Sequence, residues 1–215
     1  MNRVLYLHGF ASGPSSSKAR YFRSRLEAAG VSVAVPDLAA GDFEHLTLTG
    51  QLAVIEAAAQ PDGRPEPAAL IGSSMGGYLA ALYAARHPEI TRLVLLAPAF
   101  GFARRWPEHL GAAAMERWRA TGSMQVFHYG QNRDCALSYR LIEDAASYED
   151  GPDFRQPALI FHGSLDDVVP PSISRAFAAT HPNVILEIVD SGHELLNVLD
   201  YMAPKIEGFL AAASS

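Results

Sequence analysis

Six short runs constrain the fold of this chain more than any other feature: residues 3–8, 31–36, 68–73, 92–98, 158–163 and 184–190. They are rich in Val, Leu and Ile and show little polar alternation. A strand with one wet face alternates, whereas a strand buried on both faces does not. The pattern therefore predicts a mostly parallel, six-stranded sheet covered on both sides. Helical patterns lie between most of the runs. The first is capped by Ser16 or Ser17, runs through Glu27 and stops near Gly30. Others cover about 49–59, 75–86 and 172–180, and a last one runs from about 194, with Pro204 starting a fresh turn or a kink. Strand–helix alternation specifies the α/β class, here a doubly wound sheet with right-handed crossovers.

One connection breaks the rhythm. The stretch between Ala99 and Pro157 is far longer than an ordinary αβ loop. Leu110, Ala114 and Trp118 recur at helical spacing, as do Leu137, Leu141 and Ala145. Two or more small helices are expected, forming a cap or lid over 101–156 within a single domain of residues 1–215. An insertion there would overhang the carboxyl ends of the strands, where open α/β sheets place their sites. Trp106, Met115, Trp118, Phe127 and Tyr129 are candidates to line a substrate pocket, or else to pack the insert onto the body. If they line it, truncating Trp106 or Trp118 would change the acyl length preferred. The alternatives for the insert are packing to one side of an open cleft, or a homodimer contact.

Composition closes off several classes. With 49% hydrophobic and 19% charged residues in 215, the chain is globular and long enough for a sizeable core. A net charge of −6 lacks the basic footprint of a nucleic-acid binder. Cys135 is the single cysteine, so no intrachain disulfide and no cysteine metal cluster can form. The apolar stretch after Met1 is too short for a signal-peptide core, and no window reaches the roughly 18 apolar residues of a membrane helix. A cytoplasmic location without membrane contact is expected. The histidines at 45, 87, 109, 128 and 181 show no metal-ligand spacing, and neither metal nor cofactor is expected.

The chemistry is concentrated at three strand ends. Gly72-Ser73-Ser74-Met75-Gly76-Gly77 joins the run Ala68–Ile71 to an apolar helix. G-x-S-x-G between a strand and a helix is the pattern of a nucleophile elbow, and only Ser74 fits its central serine. The flanking glycines suit a turn too tight for side chains, and the helix N-terminus favours negative charge at the serine. After the fifth run comes His162-Gly163-Ser164-Leu165-Asp166-Asp167, and after the sixth Asp190-Ser191-Gly192-His193. Serine, then acid, then histidine, each past a strand end, is a nucleophilic relay in the order this architecture imposes. Asp166, Asp167 and Asp190 compete for the acid.

These motifs, with Leu7-His8-Gly9-Phe10 after the first run and Val169-Pro170 after the acid, resemble those of the α/β-hydrolase superfamily over nearly the whole length outside the insert. The short first loop is similar to that of small bacterial serine esterases of the YqiA-like type. The resemblance implies a minimal core with strand order 2-1-3-4-5-6. It implies Ser74 as nucleophile, His193 as base and Asp166 as orienting acid, since the family acid stands four residues after the His of the His-Gly pair. The backbone N–H groups of Phe10 and Met75 would form the oxyanion hole. His8 and His162 are expected to brace loops. The implied activity is hydrolysis of small, short-chain acyl esters. The alternatives are a thioesterase or C–C hydrolase on the same triad, or a binding or signalling protein that keeps the fold without turnover.

Overall fold

The apolar runs pair edge to edge in the computed structural model, which describes residues 3–212. In chain order the elements are β1 (Arg3–Leu7), α1 (Ser17–Ala28), β2 (Ser32–Ala34), α2 (Leu48–Ala59), β3 (Ala68–Ser73), α3 (Met75–Ala84), β4 (Ile90–Leu96), α4 (Phe102–Leu110), α5 (Ala112–Thr121), β5 (Ser123–His128), β6 (Arg133–Ser138), α6 (Arg140–Ala145), β7 (Ala158–Gly163), α7 (Pro171–Thr180), β8 (Val184–Val189) and α8 (Leu199–Ala211). The main sheet is six-stranded in the order β2-β1-β3-β4-β7-β8, with every neighbouring pair parallel. This is the α/β-hydrolase arrangement expected from the sequence.

The absence of alternation is explained by two cores. Leu5, Leu7, Leu70, Leu93, Leu95 and Ile160 face one side with Ile55, Tyr78 and Phe177 from the helices. Val4, Tyr6, Ile71, Val94, Leu96 and Phe161 face the other, under Phe22 and Leu26 of α1 and Met202 and Ile206 of α8. Every residue of β3 and of β7 is buried. At about 25 cal/mol per Å2 of apolar surface removed from water, such fully buried side chains each contribute about 1.5–3 kcal/mol. Edge strands differ. β2 keeps only Ser32–Ala34 of the expected 31–36, and on β8 Ile185 is exposed.

Two expectations need correction. The chain after His193 first makes a single 3-10 turn at Leu196–Val198, and α8 then runs unbroken through Pro204. Pro204 and Asp200, the residue whose carbonyl loses its helical donor there, both lie on the exposed side of the helix. The insert is not purely helical. Between α5 and α6 lies an antiparallel hairpin in which Met124 pairs with Leu137 and Val126 with Cys135. Leu137 therefore belongs to a strand and not to a helical row with Leu141 and Ala145. The overlooked signal is the two-residue alternation of Met124, Val126 and His128, answered by Cys135 and Leu137 across the turn Tyr129–Asn132.

The register aligns the carboxyl ends that carry the chemistry. Leu7 pairs with Gly72, Ser73 with Leu96, Leu96 with Phe161, and Gly163 with Val189. The turn after β3 fits only because it lacks side chains. A Cβ on Gly72 would collide with the Gly76 carbonyl, and one on Gly76 with the carbonyls of Leu7 and His8. Gly76→Ala is therefore expected to destabilise the domain by about 2–3 kcal/mol or more. For this chain length that lowers Tm by roughly 4–12 °C in a thermal melt. A variant that melts within a degree of the wild type would show that the elbow does not depend on this approach.

Candidate active site

Ser74 stands at the elbow with φ 52° and ψ −114°. A left-handed φ on a residue with a Cβ costs about 1–3 kcal/mol and persists only where the surroundings enforce it. Here they do. The Ser74 N–H donates to the Leu96 carbonyl (2.8 Å), and the Ser74 carbonyl accepts from Gly77, Tyr78 and Ala99 at 3.0–3.1 Å. The hydroxyl is thereby pushed off the sheet at the start of α3. The N–H groups of Met75 and Phe10 have no acceptor among the described residues. Unengaged donors beside a helix N-terminus suit an oxygen that gains negative charge.

The histidine and the acid arrive from the next two strand ends. His193 Nε2 lies 3.0 Å from Ser74 Oγ, and His193 Nδ1 lies 2.8 Å from Asp166 Oδ2. A carboxylate can only accept, so Nδ1 carries the proton and Nε2 offers its lone pair to the serine hydroxyl. The other carboxylate oxygen accepts from the N–H groups of Val168 (3.0 Å) and Val169 (2.7 Å). Of the three acid candidates it is Asp166 that reaches His193; Asp167 and Asp190 are exposed and make no hydrogen bond to it.

His162 has a part in this group that the sequence did not disclose. It is fully buried, and its Nε2 donates to the Val169 carbonyl (2.8 Å) while lying 3.1 Å from Asp166 Oδ2. The proton is therefore on Nε2, and Nδ1 accepts from the Ser174 hydroxyl at 2.7 Å. A loop brace was expected, and His162 does hold the loop, but it also presses a polarised N–H toward the acid. Burial of Asp166 pushes its pKa up. The nearby His162, the His193 hydrogen bond and the Val169 N–H outweigh that and hold the carboxyl well below the usual carboxylate range. The available signal was the i, i+4 spacing of His162 and Asp166. His8 is a simple brace: its Nε2 accepts from the Leu38 N–H (3.2 Å) and its Nδ1 donates to the Gly9 carbonyl (3.0 Å).

A cleft of about 880 Å3 opens beside Ser74 and His193. Phe10, Tyr129, Val168 and Leu196 wall it on the apolar side, and Ser12, Ser15–Ser17 and Lys18 wall it toward α1. Of the five aromatic and sulfur candidates in the insert, Tyr129 alone lines this cleft. Met115 and Trp118 are buried in the core, and the Trp118 indole N–H is spent on the Leu137 carbonyl (2.9 Å). Trp106 sits one layer back, edge-on to Phe10 at 5.7 Å between ring centres. Phe127 is on the outward face of the hairpin, half exposed against Tyr129. The physical reason is packing: Trp106, Met115 and Trp118 sit on α4 and α5 and turn toward the core, while alternation along the hairpin sends Phe127 outward and leaves Tyr129 of its turn on the cleft wall. That tip packs on the first loop, where a Cβ on Gly130 would sit 3.4 Å from Ser12. Arg105 of α4 adds a second tie through a hydrogen bond to the Val168 carbonyl in the acid loop. Cys135 is buried and unpaired within the hairpin, away from the cleft wall.

Among the described residues no helix is long and apolar enough to cross a membrane. A family model described as "Uncharacterised protein family (UPF0227)" matches residues 3–210. Over 154 residues the chain is 25% identical to the pimeloyl-[acyl-carrier protein] methyl ester esterase of Chromobacterium violaceum; that match covers 57% of this chain and 61% of the relative's length. Mouse alpha/beta hydrolase domain-containing protein 10 superposes with a TM-score of 0.80 at 19% identity, over 97% of this chain and 89% of the mouse one. Est1E from Butyrivibrio proteoclasticus gives 0.79 at 20% identity, over 97% and 86%. The last two establish the α/β-hydrolase fold.

Proposed function

The chain belongs to the UPF0227 family, and we propose that it is a serine carboxylesterase acting on small, short-chain acyl esters through an acyl-enzyme. The observation that carries this reading is the continuous relay Ser74 Oγ, His193 and Asp166, at 3.0 and 2.8 Å, opening on a cleft. His193 Nε2 takes the Ser74 proton as Oγ attacks the ester carbonyl. The carbonyl oxygen gains negative charge and is held by the N–H groups of Phe10 and Met75. His193 then passes the proton to the departing alkoxide, leaving Ser74 acylated. Water repeats the sequence and releases the acid. Asp166 keeps the imidazole in the required tautomer and balances its charge when protonated. The sequence relative is itself named for ester hydrolysis, which favours an ester over other acyl compounds.

The test is a panel of chromogenic esters of increasing acyl length beside matched acyl-thioesters. Oxygen esters of short acyl chains are expected to give the highest kcat/KM. Faster turnover of thioesters would make this a thioesterase, and no turnover of either would reduce it to a hydrolase fold without catalysis.

The insert is assigned as a partial lid whose working part is the hairpin tip. Tyr129 lines the apolar wall at the hairpin turn although its ring is largely exposed, so Tyr129→Ala should raise the octanoate-to-butyrate ratio of kcat/KM by about tenfold, the low end of small changes in an apolar pocket. Trp118→Ala, off the cleft, should lower Tm and leave the ratio alone. An unchanged ratio in the Tyr129 variant, or a shifted one in the Trp118 variant, would remove the lid assignment.

A further inference from the structure

The α1 side of the cleft has a composition that an alkyl chain cannot explain. Lys18 is only 9% exposed, although it lines the cleft, and it makes no hydrogen bond or ion pair with any described residue. It also occupies the second residue of α1, where the helix dipole is positive and a cation is disfavoured. Nearby, Tyr6 is fully buried, lines the same cleft, and its hydroxyl has no hydrogen-bond partner among the described residues. Ser73 lies beside that hydroxyl without completing a bond. The N–H groups of Ser17 and Lys18 in the first turn of α1 have no acceptor among the described residues either. A buried ammonium, a buried phenol and free first-turn amides are all donors, and none is satisfied within the fold.

We propose that this pocket is an anion subsite, and that the preferred substrates are esters carrying a carboxylate or phosphate a few atoms from the scissile bond. It rests on the ester-hydrolase reading and names the substrate class for that site. One ligand answers every unmet donor: an anion takes the Lys18 ammonium, the Tyr6 hydroxyl and the α1 amides together, as helix N-termini do with phosphate and carboxylate groups. The acids facing Lys18 are Glu194 and Asp166. Asp166 is committed to His193, and Glu194 is exposed and beyond ion-pairing distance of Lys18, so the ammonium is left for a ligand. Burial raises the Tyr6 phenol above its ordinary pKa, which keeps it a donor.

Two matched pairs of esters test the subsite and locate the anion. The acyl-side pair is 4-nitrophenyl hydrogen glutarate against 4-nitrophenyl pentanoate. The alcohol-side pair is the butyrate of 4-hydroxybenzoate against the butyrate of 4-hydroxybenzamide. In one pair the wild type should favour the anionic member by about tenfold or more in kcat/KM, the scale of a charge-assisted hydrogen bond. Lys18→Met should erase that preference by slowing the anionic member far more than its neutral partner. Tyr6→Phe should weaken the preference without lowering Tm, because the hydroxyl has no intramolecular bond to lose; this variant decides the matter if Lys18→Met does not fold. Neutral members turned over as fast in both pairs, or both members slowed equally by each substitution, would overturn the proposal. If no ester is turned over, the esterase reading fails and calorimetry still decides this one. Monomethyl glutarate must then bind more tightly than dimethyl glutarate, with Lys18→Met removing the difference, and equal affinities overturn it.

Discussion

Replacing Ser74 by alanine is expected to lower kcat on a short-chain ester by on the order of 10⁴- to 10⁶-fold, the range seen when a nucleophile is removed from a relay of this kind. The reason is structural as much as chemical. Ser74 is held at φ 52° by hydrogen bonds of its own backbone, so the substitution deletes one oxygen and leaves the turn in place. The Phe10 and Met75 donors remain, and so a small residual rate above the uncatalysed reaction should survive. The Tm should change little. A fluorophosphonate should add once to the wild type, at Ser74, and not to the variant. Peptide mapping that placed the adduct on Ser12 or Ser73, or full activity in Ser74→Ala, would mean another group does the chemistry. Ser73 is an unsuitable substitute: it is 3% exposed and ends a fully buried strand.

Much of this site was legible because its parts are local. The elbow is written in consecutive residues, with Gly72 and Gly76 standing where any Cβ would strike backbone. The three strand ends were readable from apolar runs, and a parallel sheet brings carboxyl ends together whatever the loops do. The strand order followed from the resemblance and agrees with the structure. What stayed hidden depends on packing between distant segments. Lys18 follows three serines at a helix start, and nothing in the local sequence marks it for burial; it shares the cleft wall with Tyr6, Ser73 and Glu194, which lie far away along the chain. The hairpin reads as helix in the sequence because Leu137, Leu141 and Ala145 satisfy a four-residue spacing across the junction of β6 and α6. Trp106 and Trp118 looked like pocket residues because large aromatics suit both a pocket and a core. The deciding fact, that Trp118 spends its N–H on Leu137, is tertiary.

Changing Asp166 to asparagine should cost about 10⁴-fold in kcat, as losing the orienting carboxylate does in serine relays, and the wiring of this site shows why. The Val168 and Val169 N–H groups demand an acceptor, so the amide oxygen of the new side chain will turn toward them. Its NH2 must then face His193 Nδ1. Two donors cannot meet, so His193 takes the opposite tautomer, with its proton on Nε2 toward Ser74 Oγ, and there is no lone pair left to act as base. The same NH2 would oppose the Nε2–H of His162, 3.1 Å from the present carboxylate oxygen. That histidine keeps its bond to the Val169 carbonyl, so the loop should stay folded. Asp167→Asn, on an exposed side chain, should change kcat by less than about twofold. A crippled Asp167 variant beside a nearly silent Asp166 variant would reassign the acid. Linkage supplies a separate readout. Because the folded state holds the Asp166 carboxyl below its unfolded value, the stability it contributes is fully present above about pH 4 and is lost as pH falls further. Denaturant unfolding between pH 6 and pH 3 should therefore show the wild type weakening more steeply than Asp166→Asn, and parallel acid limbs would mean that the carboxylate is not held by His162 and His193.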